Sequence, residues 1–185
     1  EGVLDYADGW PKIDDIQLDM LFHGDRMDLN VTQGRIYGGQ IVRAKVDIPA
    51  LDADHPILEI QGEVQAPAGD AIKYVNTSPI SETIDHFTDN MQASGNCKVL
   101  LDLRIPIDNP EATRVRGSCQ VSNGNITDPD LPTLGHVNGK LEFTESSLRA
   151  QNVSADIYGG SGIFNLETGR DGTLRVLARG RITAE

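Results

Sequence analysis

Four residues, Ile36-Tyr37-Gly38-Gly39, return as Ile157-Tyr158-Gly159-Gly160, 121 positions further on. The register holds without a gap upstream of that turn. Pro11 falls over Pro132, Ile13 over Leu134, Ile16 over Val137, Met20 over Leu141, Phe22 over Phe143 and Met27 over Leu148. A Gly-rich tetrapeptide recurs easily by chance, but an ungapped run of matched apolar positions does not. The chain therefore holds more than one copy of a unit.

The correspondence resumes later with a drifted offset. Val176 to Ala184 resembles Leu58 to Ala66, with Gly180 over Gly62, Ile182 over Val64 and Ala184 over Ala66. In the first copy this stretch runs into Pro67-Ala68-Gly69-Asp70 and helical sequence. The chain begins at Glu1 and shows no signal peptide and no apolar run long enough to span a bilayer. It reads as a fragment of a longer repeat protein. The expected organisation is a first β unit over 1–66, a helical insertion over 67–93, a linking β-hairpin over 94–131 and a truncated second β unit over 132–185.

Strict alternation sets the fold class. Ile16, Leu18, Met20 and Phe22 share one face, with Asp15, Gln17 and Asp19 on the other. After the His23-Gly24-Asp25 turn, Met27, Leu29 and Val31 alternate with Asp28, Asn30 and Thr32. Val42, Ala44, Val46 and Ile48 follow the Gly-rich turn, and Leu58, Ile60 and Val64 follow a Pro-containing loop. Alternation resumes with Cys97, Val99, Leu101, Leu103 and Ile105, then Val115, Cys119 and Val121, then Val137, Leu141 and Phe143, then Leu148 and Ala150, and then Leu174 to Ile182. Buried parallel strands would be apolar on both faces. The pattern predicts a mainly β chain, a long antiparallel meander of about ten strands with one wet side.

One segment changes period. Ala71, Ile72 and Val75 suit a short helix, and Ser78-Pro79 supplies a cap followed by Pro at a first helical position. Ile80, Ile84, Phe87 and Met91 then recur at steps of four, three and four, the stripe of an amphipathic helix whose polar side carries Glu82, Asp85 and Asp89. Those four apolar residues are expected to pack on the sheet. Without Lys or Arg, the polar side does not suit a membrane surface.

Charge and motifs exclude several function classes. Twenty-eight acidic against 16 basic residues give a net −12, and the bases are scattered, so a nucleic-acid partner is not expected. His23, His55, His86 and His136 lie far apart in sequence, outside the close spacing of a metal site built on one element. No nucleophile elbow, phosphate-binding loop or dinucleotide fingerprint occurs. The chain reads as non-enzymatic, with no cofactor.

Gly9-Trp10-Pro11, the run from Asp19 to Ile48, the Asn76-Thr77-Ser78-Pro79-Ile80 helix start and Leu101-Asp102-Leu103-Arg104-Ile105-Pro106-Ile107 resemble a periplasmic segment of the AsmA-like proteins of Gram-negative bacteria. The resemblance covers most of the chain. It implies repeated β-groove units in the periplasmic part of an inner-membrane-anchored protein, the anchor lying outside this fragment. It further implies phospholipid movement between inner and outer membranes in support of the outer-membrane barrier. Phospholipid and neighbouring repeats of the same chain are then the expected partners.

From the residues alone, two ways of covering the apolar face stay open. The sheet folds inward as a groove for acyl chains, or it closes on itself as a sandwich. The resemblance implies the groove, lined by Ile16, Leu18, Met20, Phe22, Met27, Leu29, Val31, Val42, Ala44, Val46, Ile48, Leu58, Ile60, Val64, Val99, Leu101, Leu103, Ile105, Val115, Val121, Val137, Leu141 and Phe143. The alternative is a non-catalytic extracellular β-sandwich binding glycan or protein. Cys97 and Cys119, equidistant from a loop centred near Asp108, are expected to face each other within reach of a disulfide, which an oxidising periplasm permits.

Overall fold

The computed structural model describes residues 2–5, 9–84 and 86–181. Eleven strands form one antiparallel sheet in sequence order: β1 (Gly2–Leu4), β2 (Ile13–His23), β3 (Arg26–Ile36), β4 (Gly39–Ile48), β5 (Ile57–Pro67), β6 (Gln92–Pro106), β7 (Arg114–Asp128), β8 (Leu131–Thr144), β9 (Leu148–Ile157), β10 (Gly160–Thr168) and β11 (Leu174–Gly180). β1 comes from the lead-in segment that alternation leaves unassigned; Gly2 and Leu4 pair with Ile16 and Ile13 of β2. The sheet is open, with β1 and β11 at its two margins. Packing beyond strand neighbours is chiefly that of α1 (Ala68–Asn76) on β6 and β5. The two-sheet sandwich is thereby corrected to a single open sheet.

The helical insertion also differs from expectation. α1 begins directly after Pro67, with Asp70 in its first turn, where a carboxylate suits the helix dipole. The expected helix over Ile80–Met91 is a single turn, α2 (Ile80–Thr83). Ile84 leaves helical geometry and His86 is left-handed at φ 58°, which a continuing helix does not tolerate. The four-three-four stripe is consequently split across a turn: Ile80, Ile84 and Met91 are half-buried, whereas Phe87 is 54% exposed. Asp85 lies outside the described residues, as do Ile182 and Ala184.

A line of bulges crosses the sheet and resets the alternation. Gln17 pairs with Gln33 but Leu18 with Val31, leaving Thr32 extra on β3. Ile41 pairs with Val64 but Arg43 with Glu63, leaving Val42 extra on β4. A bulge inserts one residue and shifts the parity of all that follow. Ile41 is therefore the buried residue, 8% exposed, and Val42, at 45%, is not. Gly34 makes room for this arrangement, since a Cβ there would lie 3.0 Å from both Ile13 and Ile41 side chains.

No large side chain is wholly buried among the described residues, as a single layer dictates. The best-packed cluster gathers Val137, Ala155 and Phe164 against Val121, Ile126, Leu134, Val153, Ile157 and Leu166.

Candidate functional site

Directly opposed residues of an antiparallel pair share a face, so the registers trace apolar rows across the sheet. One row runs Met20, Leu29, Val46, Ile60, Leu103, Val115 from β2 to β7. A second runs Leu18, Val31, Ala44, Gly62, Leu101, Gly117, Phe143, Leu148. A third runs Ile41, Val64, Val99, Cys119, Leu141, Ala150, Leu166, Val176 to the far edge. Phe22, Met27 and Ile48 stand in line at one end, where Leu58 also faces Ile105; Cys97 faces Val121 at the other, and Val137 faces Gly124. Ile16 lies opposite Gly2. Sequence reasoning placed these side chains by alternation and missed Ile41, because the bulge at Val42 has no apolar signature.

The face is covered unevenly. Val31 and Ile48 are each 7% exposed, but Leu18, Met20 and Phe22 on β2 are 37, 49 and 58% exposed. A contiguous apolar surface left open on a sheet is unusual in a monomer.

The opposite face is wet and ion-paired. Arg26 spans Asp28 and Asp47 at 2.9 and 3.1 Å, and Lys45 also reaches Asp47 at 3.0 Å. Glu63 sits between Lys98 at 2.7 Å and Arg43 at 3.0 Å, and Arg104 meets Glu59. Hydrogen bonding from Arg26 holds the Asp28 carboxyl far below the usual carboxylate range, and Lys98 lowers that of Glu63. The sheet is thus two-sided, apolar on one face and charged on the other.

α1 packs on β6 and β5 and reaches the turn between β3 and β4. Tyr37, left-handed at φ 52° in the turn between β3 and β4, lies under the Lys73 ammonium at 4.1 Å and meets the Thr77 hydroxyl through its own at 2.9 Å. Trp10 stacks at a tilt on Tyr74, ring centres 6.0 Å apart.

Cys97 and Cys119 are bonded across β6 and β7 with Cα atoms 6.2 Å apart. They are diagonal, not opposed: Cys97 faces Val121 and Cys119 faces Val99. The loop is centred on Asn109, one residue past the expected Asp108, which displaces the pair by two.

Ser81, His86 and Asp89 come together, with the serine hydroxyl 3.0 Å and the carboxylate 3.1 Å from the same ring nitrogen, Nδ1. A nucleophilic relay needs the hydroxyl and the carboxylate on opposite ring nitrogens. The trio instead locks the turn after α2. Among the described residues, no cluster of His, Cys, Asp and Glu could hold a metal ion.

The model of the YhdP protein family matches residues 1–185. The chain belongs to the YhdP family. Compared with curated proteins, it is 25% identical over 152 residues to the intermembrane phospholipid transporter YhdP of Escherichia coli strain K12. That match covers 80% of this chain and 12% of the YhdP relative, so the chain spans about an eighth of the relative's length. No solved structure matches. None of the described helices is long and apolar enough to cross a membrane.

Proposed function

We propose that this chain is one stretch of the lipid path of a YhdP-type transporter, lying in the periplasm as part of an inner-membrane-anchored protein. In this reading phospholipid acyl chains lie against the apolar rows while the charged reverse faces water. The observation that carries it is the overlap of those rows, which together cover β2 to β11 on a sheet that does not close. Each methylene moved from water onto such a surface gains about 0.8 kcal/mol, so a face without an enclosed pocket holds a chain along its length. Passage along the face alters no covalent bond and calls for no catalytic group or cofactor. Neighbouring units of the same polypeptide extend the face at its edges. The Cys97–Cys119 bond fits an oxidising compartment.

Photo-crosslinking tests this reading. A benzophenone amino acid at Leu101 or Leu103 in the full-length protein is expected to capture phospholipid in cells, and the same group at Gln61 or Asp102 on the charged face is not. Equal capture from both faces, or none from either, would overturn it. Leu103→Asp should block passage, because a carboxylate is costly in acyl surroundings.

A further inference from the structure

Tyr158 repeats Tyr37 in its left-handed backbone and its place in the repeat, but not in its cover; the glycine that follows is left-handed only in the second turn, Gly159 at φ 72°. Both are left-handed, at φ 48° and 52°, and both open a turn between two strands of the sheet. Left-handed backbone is uncommon for a ring-bearing residue and persists where something over-determines it. At Tyr37 that role falls to α1, through Lys73 over the ring and Thr77 on the phenol. The next residue, Gly38, is pressed by the same helix: a Cβ there would meet the Asp70 carboxylate. At the second turn, a Cβ built on Gly159 would meet nothing within 4 Å among the described residues, and Tyr158 is 63% exposed. α1 leaves β5 directly, and β11 stands beside β10 as β5 stands beside β4.

We propose that the Tyr158–Gly159 turn is a docking site for a helix of the α1 kind from the same polypeptide, carrying a Lys or Arg over the ring and a hydroxyl four residues later. Charge argues for that occupant. The chain carries 28 acidic against 16 basic residues, and Asp156, already bonded to His136 and Ser161, puts a further carboxylate two residues from Tyr158 at the position corresponding to Arg35, so a cation-bearing helix is the complementary partner. The bare glycine leaves room for the helix's first turn, as Gly38 does for Asp70. The site rests on the likeness of the two turns and is independent of whether the apolar rows carry lipid.

Two measurements on the full-length parent test it. Tyrosine nitration followed by peptide mapping needs no substitution: Tyr158 should be modified several-fold more slowly in the delipidated parent than in the 185-residue chain, and equal rates would overturn the proposal. A benzophenone amino acid replacing Tyr158 should crosslink to a segment of the same polypeptide bearing a Lys or Arg four residues before a Ser or Thr. The same substitution at Tyr37, which should capture α1 around Lys73, serves as the internal reference. Capture of α1 from position 37 with none from position 158, or with capture there of lipid or another protein, would also overturn it.

Discussion

Asp15 and His136, 121 positions apart, both adopt left-handed backbone, at φ 51° and 49°. Each pairs with the residue twenty positions on, Asp15 with Arg35 and His136 with Asp156 at 2.8 Å. The carboxylate and its nitrogen-bearing partner change places between the two sites. At this point the chain keeps a left-handed backbone and a carboxylate-to-nitrogen contact, but not the residues that meet them.

Substitution at His136 separates the two requirements. His136→Asn loses the contact of the ring with the Asp156 carboxylate and retains a residue type that tolerates the left-handed region. His136→Val loses both, at an added cost of about 1–2 kcal/mol. Urea unfolding should rank valine below asparagine by that margin. Equal stabilities would mean that the backbone, not the side chain, sets this bulge.

Much of the fold was legible because alternation reports a strand's two faces directly. The rows through Leu29, Val46, Ile60 and Leu103 follow from it without correction. Reading failed where parity changes. Thr32 and Val42 are extra residues whose side chains look like any others in an alternating run, so Val42 is expected on the apolar face that Ile41 in fact occupies. Asp15, Asn123, His136 and Asn152 are all left-handed, and a non-glycine residue of these types inside a strand is the one local hint of a bulge. The Ile80–Met91 stripe misled for another reason. Its spacing is helical, but the Ser81, His86 and Asp89 side chains hydrogen-bond one another in a turn, and side chains that compete in this way end helices.

Glu63 gives the clearest pH dependence. Its side chain is nearly covered between Lys98 and Arg43, and its pKa is lowered, first by the hydrogen bond from Lys98. A carboxyl depressed in the folded state binds fewer protons than in the unfolded state. Its stabilisation is complete above the ordinary carboxylate pKa of about 4.3 and is lost as pH falls through the lower folded value. Glu63→Gln should therefore lower Tm at neutral pH and lose less Tm than the parent on acidification through that range. Parallel Tm profiles for the two proteins would remove Glu63 from the acid response.

Gly117 faces Phe143 so closely that a Cβ would lie 2.2 Å from the ring. The aromatic ring covers the glycine on the apolar face, as a neighbouring side chain would. Gly117→Ala should cost about 1–3 kcal/mol through overpacking. The same change in a Phe143→Leu background should cost far less, since the ring it strikes is gone. A double-mutant cycle by denaturant unfolding reads the coupling directly; additive effects would show that the ring swings away freely.

Three alanine substitutions ask whether the apolar face is an open surface or a closed core. Phe164 belongs to the best-packed cluster at 9% exposure, and Phe164→Ala should cost about 3–5 kcal/mol. Phe87, 54% exposed beyond the end of α2, should lose under about 0.5 kcal/mol when truncated. Leu103 sits mid-row between Ile60 and Val115 and is only half-buried. Leu103→Ala should fall between them, below the roughly 2–5 kcal/mol of a fully enclosed leucine, because part of its surface contacts no protein neighbour. Unfolding of the isolated chain in urea orders the three. If Leu103→Ala proves as costly as Phe164→Ala, the protein packs around that row on all sides and leaves no surface there for an acyl chain.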